Sequence, residues 1–205
     1  HIAVIGANGP IGDVVSRSLP QLQPERILLV GKADNPGEYE KFDRLKDLSG
    51  RVLDQARIVS PNTGVGIHQD KSTACHDYNI DVAIVATTGM DLSPSEIPRG
   101  ALVLDMTTPA ACQPDPGWQG RLVLTAGCGE FAIEQNLPLW FGKIYGTPIR
   151  NVGAGGDMVI WGCTGETIAR AVFGWQGHLT GKTIPLDALE WARTHFNRLG
   201  FVPQP

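Results

Sequence analysis

The chain has 205 residues, 42% hydrophobic and 19% charged, with 17 Lys and Arg against 21 Asp and Glu. A chain of that length buries roughly 70% of its unfolded surface without staples, and the balance excludes both intrinsic disorder and a basic nucleic-acid footprint. No run reaches the ~18 apolar residues of a membrane span.

Ile2-Ala3-Val4-Ile5 is a β-branched run stopped by Gly6, the pattern of a buried parallel strand. Pro10 suits the first turn of a helix, with Ile11, Val14, Val15 and Leu19 at helical spacing and Pro20 at its end. Arg26–Val30 reads as the second strand. Glu38–Leu48 reads as an exposed helix closed by Gly50, and Arg57-Ile58-Val59 as a short third strand. Val82–Ala86, Ala101–Asp105 and Arg121–Leu124 complete the series. From Asp157 to Trp175, and again from Leu186 to Leu199, the pattern is helical, with a Gly-rich turn, Gly174 to Gly181, between.

Strands alternating with helices imply βαβ units and right-handed crossovers. The expected fold is α/β, a doubly wound parallel, Rossmann-like sheet with C-terminal helices packing back on it, all in one domain, 1–205. The chain enters its first strand at His1 with no Met, so it reads as a fragment or as the ordered part of something longer.

Gly6-Ala7-Asn8-Gly9-Pro10-Ile11-Gly12 has the Gly-x-x-Gly-x-x-Gly spacing between a strand and a helix. Gly6 makes the tight turn, Gly9 lets the backbone meet a pyrophosphate, and Gly12 permits close helix–strand packing. The helix N-terminus then faces the phosphates. At the end of the second strand an acid would hold a ribose 2′-hydroxyl and a cation a 2′-phosphate. Gly31-Lys32 stands there, so the expected cofactor is NADP(H).

The four cysteines, Cys75, Cys112, Cys128 and Cys163, have no metal-site or disulfide spacing and read as free thiols of a reducing cytoplasm. None of Tyr39, Tyr78 and Tyr145 has Lys four places on, which excludes a Tyr-x-x-x-Lys mechanism. His76 beside Cys75 cannot supply a metal site alone. Cys163 lies among glycines behind Gly153–Gly156. A helix beginning near Thr164 would favour its thiolate; one capped by Asp157 would leave it nearly two turns in, where the dipole helps little. A lone cysteine is also a common buried hydrophobe. Trp161, Trp175 and Trp191 read as core.

Ile2–Gly12, Leu104-Asp105, Leu122–Cys128, the run Cys163-Thr-Gly-Glu-Thr-Ile-Ala-Arg-Ala-Val-Phe-Gly-Trp175, Gly181–Ile184 and Gly200-Phe201-x-Pro203, in that order, resemble the NADPH-dependent, aldehyde-forming long-chain acyl-[acyl carrier protein] reductases. The resemblance spans nearly the whole chain. It departs at Gln176, where the family has a histidine, with His178 two places on, and the family's substrate-side region ahead of the Rossmann part has no counterpart in these residues. The resemblance implies Cys163 as nucleophile on an acyl carrier protein or CoA thioester, and His178 is a candidate proton donor if the Gly-rich turn folds back over the site. Thr87, Thr88 and Gly89, after the fourth strand, would then lie beside the nicotinamide position. Two alternatives stay open: an NADP-dependent reductase of a keto or imine substrate without a covalent step, and a non-catalytic NADP-binding subunit. Oligomeric state is left open, a homo-oligomer included.

Overall fold

The computed structural model describes residues 1–31, 39–87, 91–107, 110–125, 128–131, 150–151, 158–161, 169–174, 184–198 and 201–203. The chain divides into two compact units, His1–Thr125 with Thr180–Leu186, and Ala126–Leu179 with Asp187–Pro205.

The first unit is built on six strands: β1 (Ile2–Ile5), β2 (Arg26–Val30), β3 (Gly64–His68), β4 (Val82–Val85), β5 (Leu102–Asp105) and β6 (Leu122–Thr125). All pair in parallel, in the order β3-β2-β1-β4-β5-β6. This is the α/β, Rossmann-like arrangement expected. The strands are short and apolar because helices cover both faces. Alternate residues go to opposite sides. Ala3, Ile5, Leu28, Val30, Ala83 and Val85 meet Ala74 and Cys75 of helix α3 (Lys71–Asp77) on one face. Val4, Ile27, Leu29 and Ile84 meet Leu45, Leu48 and Val52 of helix α2 (Tyr39–Val59) on the other. Helix α1 (Pro10–Ser18) joins β1 to β2, with Pro10 in its first turn and a short 3₁₀ turn, Leu19–Leu22, after it.

Two expectations for this unit are corrected. The α2 helix does not close at Gly50 but runs on to Val59, so Arg57-Ile58-Val59 is its last turn rather than a strand. Leu45, Leu48, Val52 and Ala56 are all buried and continue one apolar stripe through the glycine. Packing along that stripe outweighs the ~1 kcal/mol that a mid-helix glycine costs. Ile58, which made the tripeptide look strand-like, is 78% exposed. The third strand is Gly64–His68 instead, an edge strand half-buried throughout, whose two glycines gave it no strand signature.

The second unit carries a four-stranded antiparallel sheet that the sequence reading lacked. It comprises β7 (Cys128–Phe131), β8 (Arg150–Asn151), β9 (Met158–Trp161) and β10 (Phe201–Pro203), in the order β10-β7-β9-β8. Met158–Trp161 was expected inside a helix running from Asp157 to Trp175. It is a strand because its four apolar residues pair with β7 on one side and β8 on the other, and a short apolar run does not by itself choose between helix and strand. Residues 169–173 are helical, and the final helix α4 spans Leu186–Arg198, as expected at that end. His195 stacks on Trp191 at 4.1 Å and meets Phe173 edge-on at 4.5 Å. Among the described residues no helix is long and apolar enough to cross a membrane.

Candidate functional site

The chain leaves β1 toward β2 and β3, then crosses back to β4, β5 and β6 on the other side. The connections that leave the carboxyl ends of the paired strands β1 and β4 therefore run to opposite sides, which opens a crevice above them, the place where open α/β sheets bind ligands. A cleft of about 1100 Å³ opens there, lined by the glycine loop and the ends of β2, β4 and β5.

Two glycines in the loop are sterically required. Gly6 holds φ +85°, and a Cβ on it would lie 2.6 Å from Thr87 Cγ2 and 2.7 Å from the Ala86 carbonyl. A Cβ on Gly12 would sit 2.2 Å from the Gly6 carbonyl oxygen, so α1 crosses the strand end closer than any side chain allows. Gly9 differs. Its φ of −82° suits any residue, an added Cβ would meet the Gly6 oxygen at 3.3 Å, and Gly9 itself lines the cleft. The loop is tied down by Gly6 and Ala7, whose N–H groups donate to the Val30 carbonyl at 2.9 and 3.1 Å, and by Gly9 N–H on Gly6 O at 3.0 Å.

Gly9 is the N-cap of α1, and no side chain caps the helix. The first intrahelical bond runs from Asp13 N–H to Gly9 O at 2.8 Å, so the N–H groups of Ile11 and Gly12 have no carbonyl of the helix to serve. Asp13, in the first turn, would repel an anion. Its carboxylate is instead taken up by Arg17 and Arg51, each at 2.7 Å, and is almost fully buried. Arg17 also donates to the Ile184 carbonyl. The positive end of α1 thus faces the cleft with its nearest acid neutralised.

At the end of β2, Gly31 donates to the His68 carbonyl at 3.1 Å, and a Cβ on Gly31 would lie 3.2 Å from the Asn8 carboxamide. Lys41 and Arg44, in the opening turns of α2, line the same cleft. The sequence reading missed both, because cations on an exposed helix read as a solvated face. The cleft acids are engaged on the protein itself. Asp70 accepts from Thr73 N–H at 2.6 Å, a bond that holds its carboxyl below the usual range. Glu96 pairs with Lys71 at 3.1 Å and accepts from Ser93 N–H at 2.8 Å.

At the end of β4, Thr87 Oγ1 is buried and has no hydrogen-bond partner among the described residues. A buried hydroxyl left unmatched costs roughly 1–3 kcal/mol, and this one belongs to a cleft-lining residue. At the end of β5, Asp105 is fully buried and accepts from Thr107 N–H at 3.0 Å, Thr107 Oγ1–H at 2.6 Å and Cys112 N–H at 2.8 Å. Thr107 Oγ1 in turn accepts from Ala111 N–H at 2.7 Å. This network holds Met106 and Thr107 on the cleft wall. Sequence reasoning noticed Asp105 without finding that role.

Neither described free thiol belongs to the cleft lining. Burial pushes Cys75 up to about 12, with Glu96 nearby adding to the shift. Burial also raises Cys112 to about 12, assisted by Asp105. Both are neutral thiols at any physiological pH. Among the expected site residues, Gly6, Ala7, Asn8, Gly9, Pro10, Ile11, Gly12 and Thr87 are brought together at one strand-end crevice. Lys32, Thr88, Gly89, Cys163 and His178 lie outside the described residues. Of the two helix starts weighed for Cys163, the one capped by Asp157 is overturned, since Met158–Trp161 form β9. Among the described residues no group of three or more His, Cys, Asp and Glu could hold a metal.

No family model matches the chain, and no curated protein matches it. Among solved structures, TcdA (CsdL) is similar at 16% identity over 78% of this chain and 69% of that one, with a TM-score of 0.34. Likeness at that level carries no functional argument.

Proposed function

We propose that the cleft binds NADP(H) and that the chain is an NADP-dependent oxidoreductase acting on an acyl thioester. The observation that carries the dinucleotide part is the glycine cradle. Gly6 and Gly12 exclude any side chain by contacts of 2.2–2.7 Å, and they hold the uncapped end of α1 toward a strand-end crevice. Gly9, Pro10 and Ile11 would take the pyrophosphate, Asn8 and Gly31 the adenosine ribose, and Thr87 and Thr107 the far end of the ligand. The orphaned Thr87 hydroxyl supports this, because a ligand group would satisfy it. Lys32 is the cation expected for a 2′-phosphate. Bound NADPH supplies a hydride.

The thioester part rests on the resemblance. Burial holds the Cys75 and Cys112 thiols neutral near pH 7, which leaves Cys128 and Cys163 as candidate nucleophiles. The resemblance assigns that role to Cys163. Its thiolate attacks the thioester carbonyl, a new C–S bond forms, the carrier's C–S bond breaks, and the carrier thiol leaves with a proton. His178 is the candidate donor of that proton, and Thr87, Thr88 and Gly89 lie in the chain segment that follows β4. The resulting acyl-cysteine keeps the acyl group activated for reduction to the aldehyde.

Incubation with an acyl thioester in the absence of NADPH should add one acyl group to the intact protein, mapped to residues 162–170, and NADPH should discharge it as aldehyde. Cys163→Ser should accumulate no adduct, a hydroxyl being a far weaker nucleophile without a dedicated base, while still binding the dinucleotide. Thioester reduction at the normal rate by Cys163→Ser, or an adduct only on Cys75, Cys112 or Cys128, overturns the covalent route. Reduction of a keto or imine substrate with every cysteine replaced would favour the non-covalent alternative. Failure of the wild-type protein to bind either NADPH or NADH overturns the dinucleotide reading itself.

A further inference from the structure

We infer that Lys41 and Arg44 hold the 2′-phosphate of the dinucleotide and set the preference for the phosphorylated cofactor, an inference that rests on the dinucleotide reading above. In a sheet of this strand order the glycine loop takes the pyrophosphate and the end of β2 takes the adenosine ribose. The β2 end here is Val30-Gly31, and both residues line the cleft. Lys41 and Arg44 line it too, from the helix that follows β2. Three residues apart, they lie on one side of that helix, and Lys41 is in its first turn, where the positive end of the α2 dipole adds to its charge.

A 2′-phosphate carries about −1.5 to −2 charges and three acceptor oxygens near neutrality. Arg44 offers a planar fork suited to two phosphate oxygens, and Lys41 a compact point charge. Of the acids on the cleft wall, Glu96 is offset by Lys71 and accepts from the Ser93 amide, and Asp70 accepts from Thr73 N–H as the N-cap of α3. Glycine at position 31 keeps the floor beneath the ribose open, since any Cβ there would press on Asn8 at 3.2 Å. In this arrangement the two α2 residues are the specificity determinants.

The test titrates NADPH and NADH into the wild-type protein, Lys41→Ala, Arg44→Ala, the double variant, Lys41→Arg and Lys32→Ala, with adenosine 2′,5′-bisphosphate and 5′-AMP as truncated probes. Two lost charge-assisted contacts should weaken NADPH binding by ~30-fold or more in the double variant, while NADH shifts by less than about threefold. Lys41→Arg should keep most of the preference. The bisphosphate should lose affinity in parallel with NADPH, and 5′-AMP should not. Both residues are exposed, so removing either side chain opens no cavity, and a melting curve for each variant confirms that the fold is kept. A readout on the unaltered protein backs this up. Its NADPH-to-NADH affinity ratio should shrink as salt rises, because exposed charges are screened over about 10 Å at 0.1 M.

A double variant that keeps the preference, or weakens both cofactors equally, overturns the inference. So does a preference that vanishes entirely in Lys32→Ala, or one that salt leaves unchanged. Wild-type protein that binds NADPH and NADH equally removes this inference and leaves the dinucleotide reading standing. Wild-type protein that binds neither removes both.

Discussion

The three glycines of the loop share a motif but do different jobs, and the difference is measurable. Gly6→Ala meets a positive φ together with contacts under 3 Å, and Gly12→Ala places a methyl 2.2 Å from a backbone oxygen. Both should destabilise the fold by roughly 2 kcal/mol or more. Gly9→Ala needs only a small shift at 3.3 Å, so it should unfold within about 0.5 kcal/mol of wild type in urea while binding NADPH more weakly. If all three variants lose stability alike, the loop is a structural turn and Gly9 has no ligand to meet. The spacing of these glycines was readable from sequence because local sterics require it. The placement of Lys41 and Arg44 on the cleft wall and the Asp105 network were not, since nothing local distinguishes a cation on a cleft wall from a solvated one.

At the scale of elements, α2 shows packing overriding a local breaker. Gly50 sits within the helix, exposed, with nothing within 4 Å of an added Cβ. Gly50→Ala should therefore stabilise the protein by about 0.5–1 kcal/mol, read as a higher urea midpoint with unchanged slope. Loss of stability would mean that the helix does not pass through this position. The junction of α1 with α2 makes the opposite case. Asp13 and Arg17 have side chains only 7% and 9% exposed, with Arg51 completing the group. Asp13→Ala strands a buried guanidinium and should cost about 3 kcal/mol. Asp13→Asn, which keeps an acceptor, should cost less. Equal, negligible losses in both variants would show that the charges are hydrated rather than paired.

For the whole molecule, the buried thiol of Cys75 and the half-buried one of Cys112 predict an alkaline limit. Their folded pKa of about 12 lies above the ordinary 9, so the folded state keeps protons that the unfolded chain has released. Stability is unaffected below pH 9 and falls as pH rises from 9 toward 12. Cys75→Ala should start less stable, having lost core volume, but lose less between pH 8 and 10.5 than wild type does. Identical pH slopes would show that Cys75 ionises freely. In the folded protein at pH 8, iodoacetamide should leave Cys75 and Cys112 unmodified.

Taken alone, the amino-acid sequence determined the strand-turn-helix at the front, the run of parallel βα units and the final helix. Each depends on signals within about ten neighbouring residues: β-branched runs, glycine spacing, and Pro10 in a first turn. Tertiary structure decided whatever depends on partners distant in the chain. Gly64–His68 becomes a strand because β2 pairs with it, and Met158–Trp161 because β7 and β8 do. The order of strands, and with it the crevice between β1 and β4, follows from which edge each crossover reaches. Only that crossing brings Lys41, Thr87 and Thr107 to one cleft, because hydrogen bonds between strands and burial of both sheet faces act across the chain rather than along it.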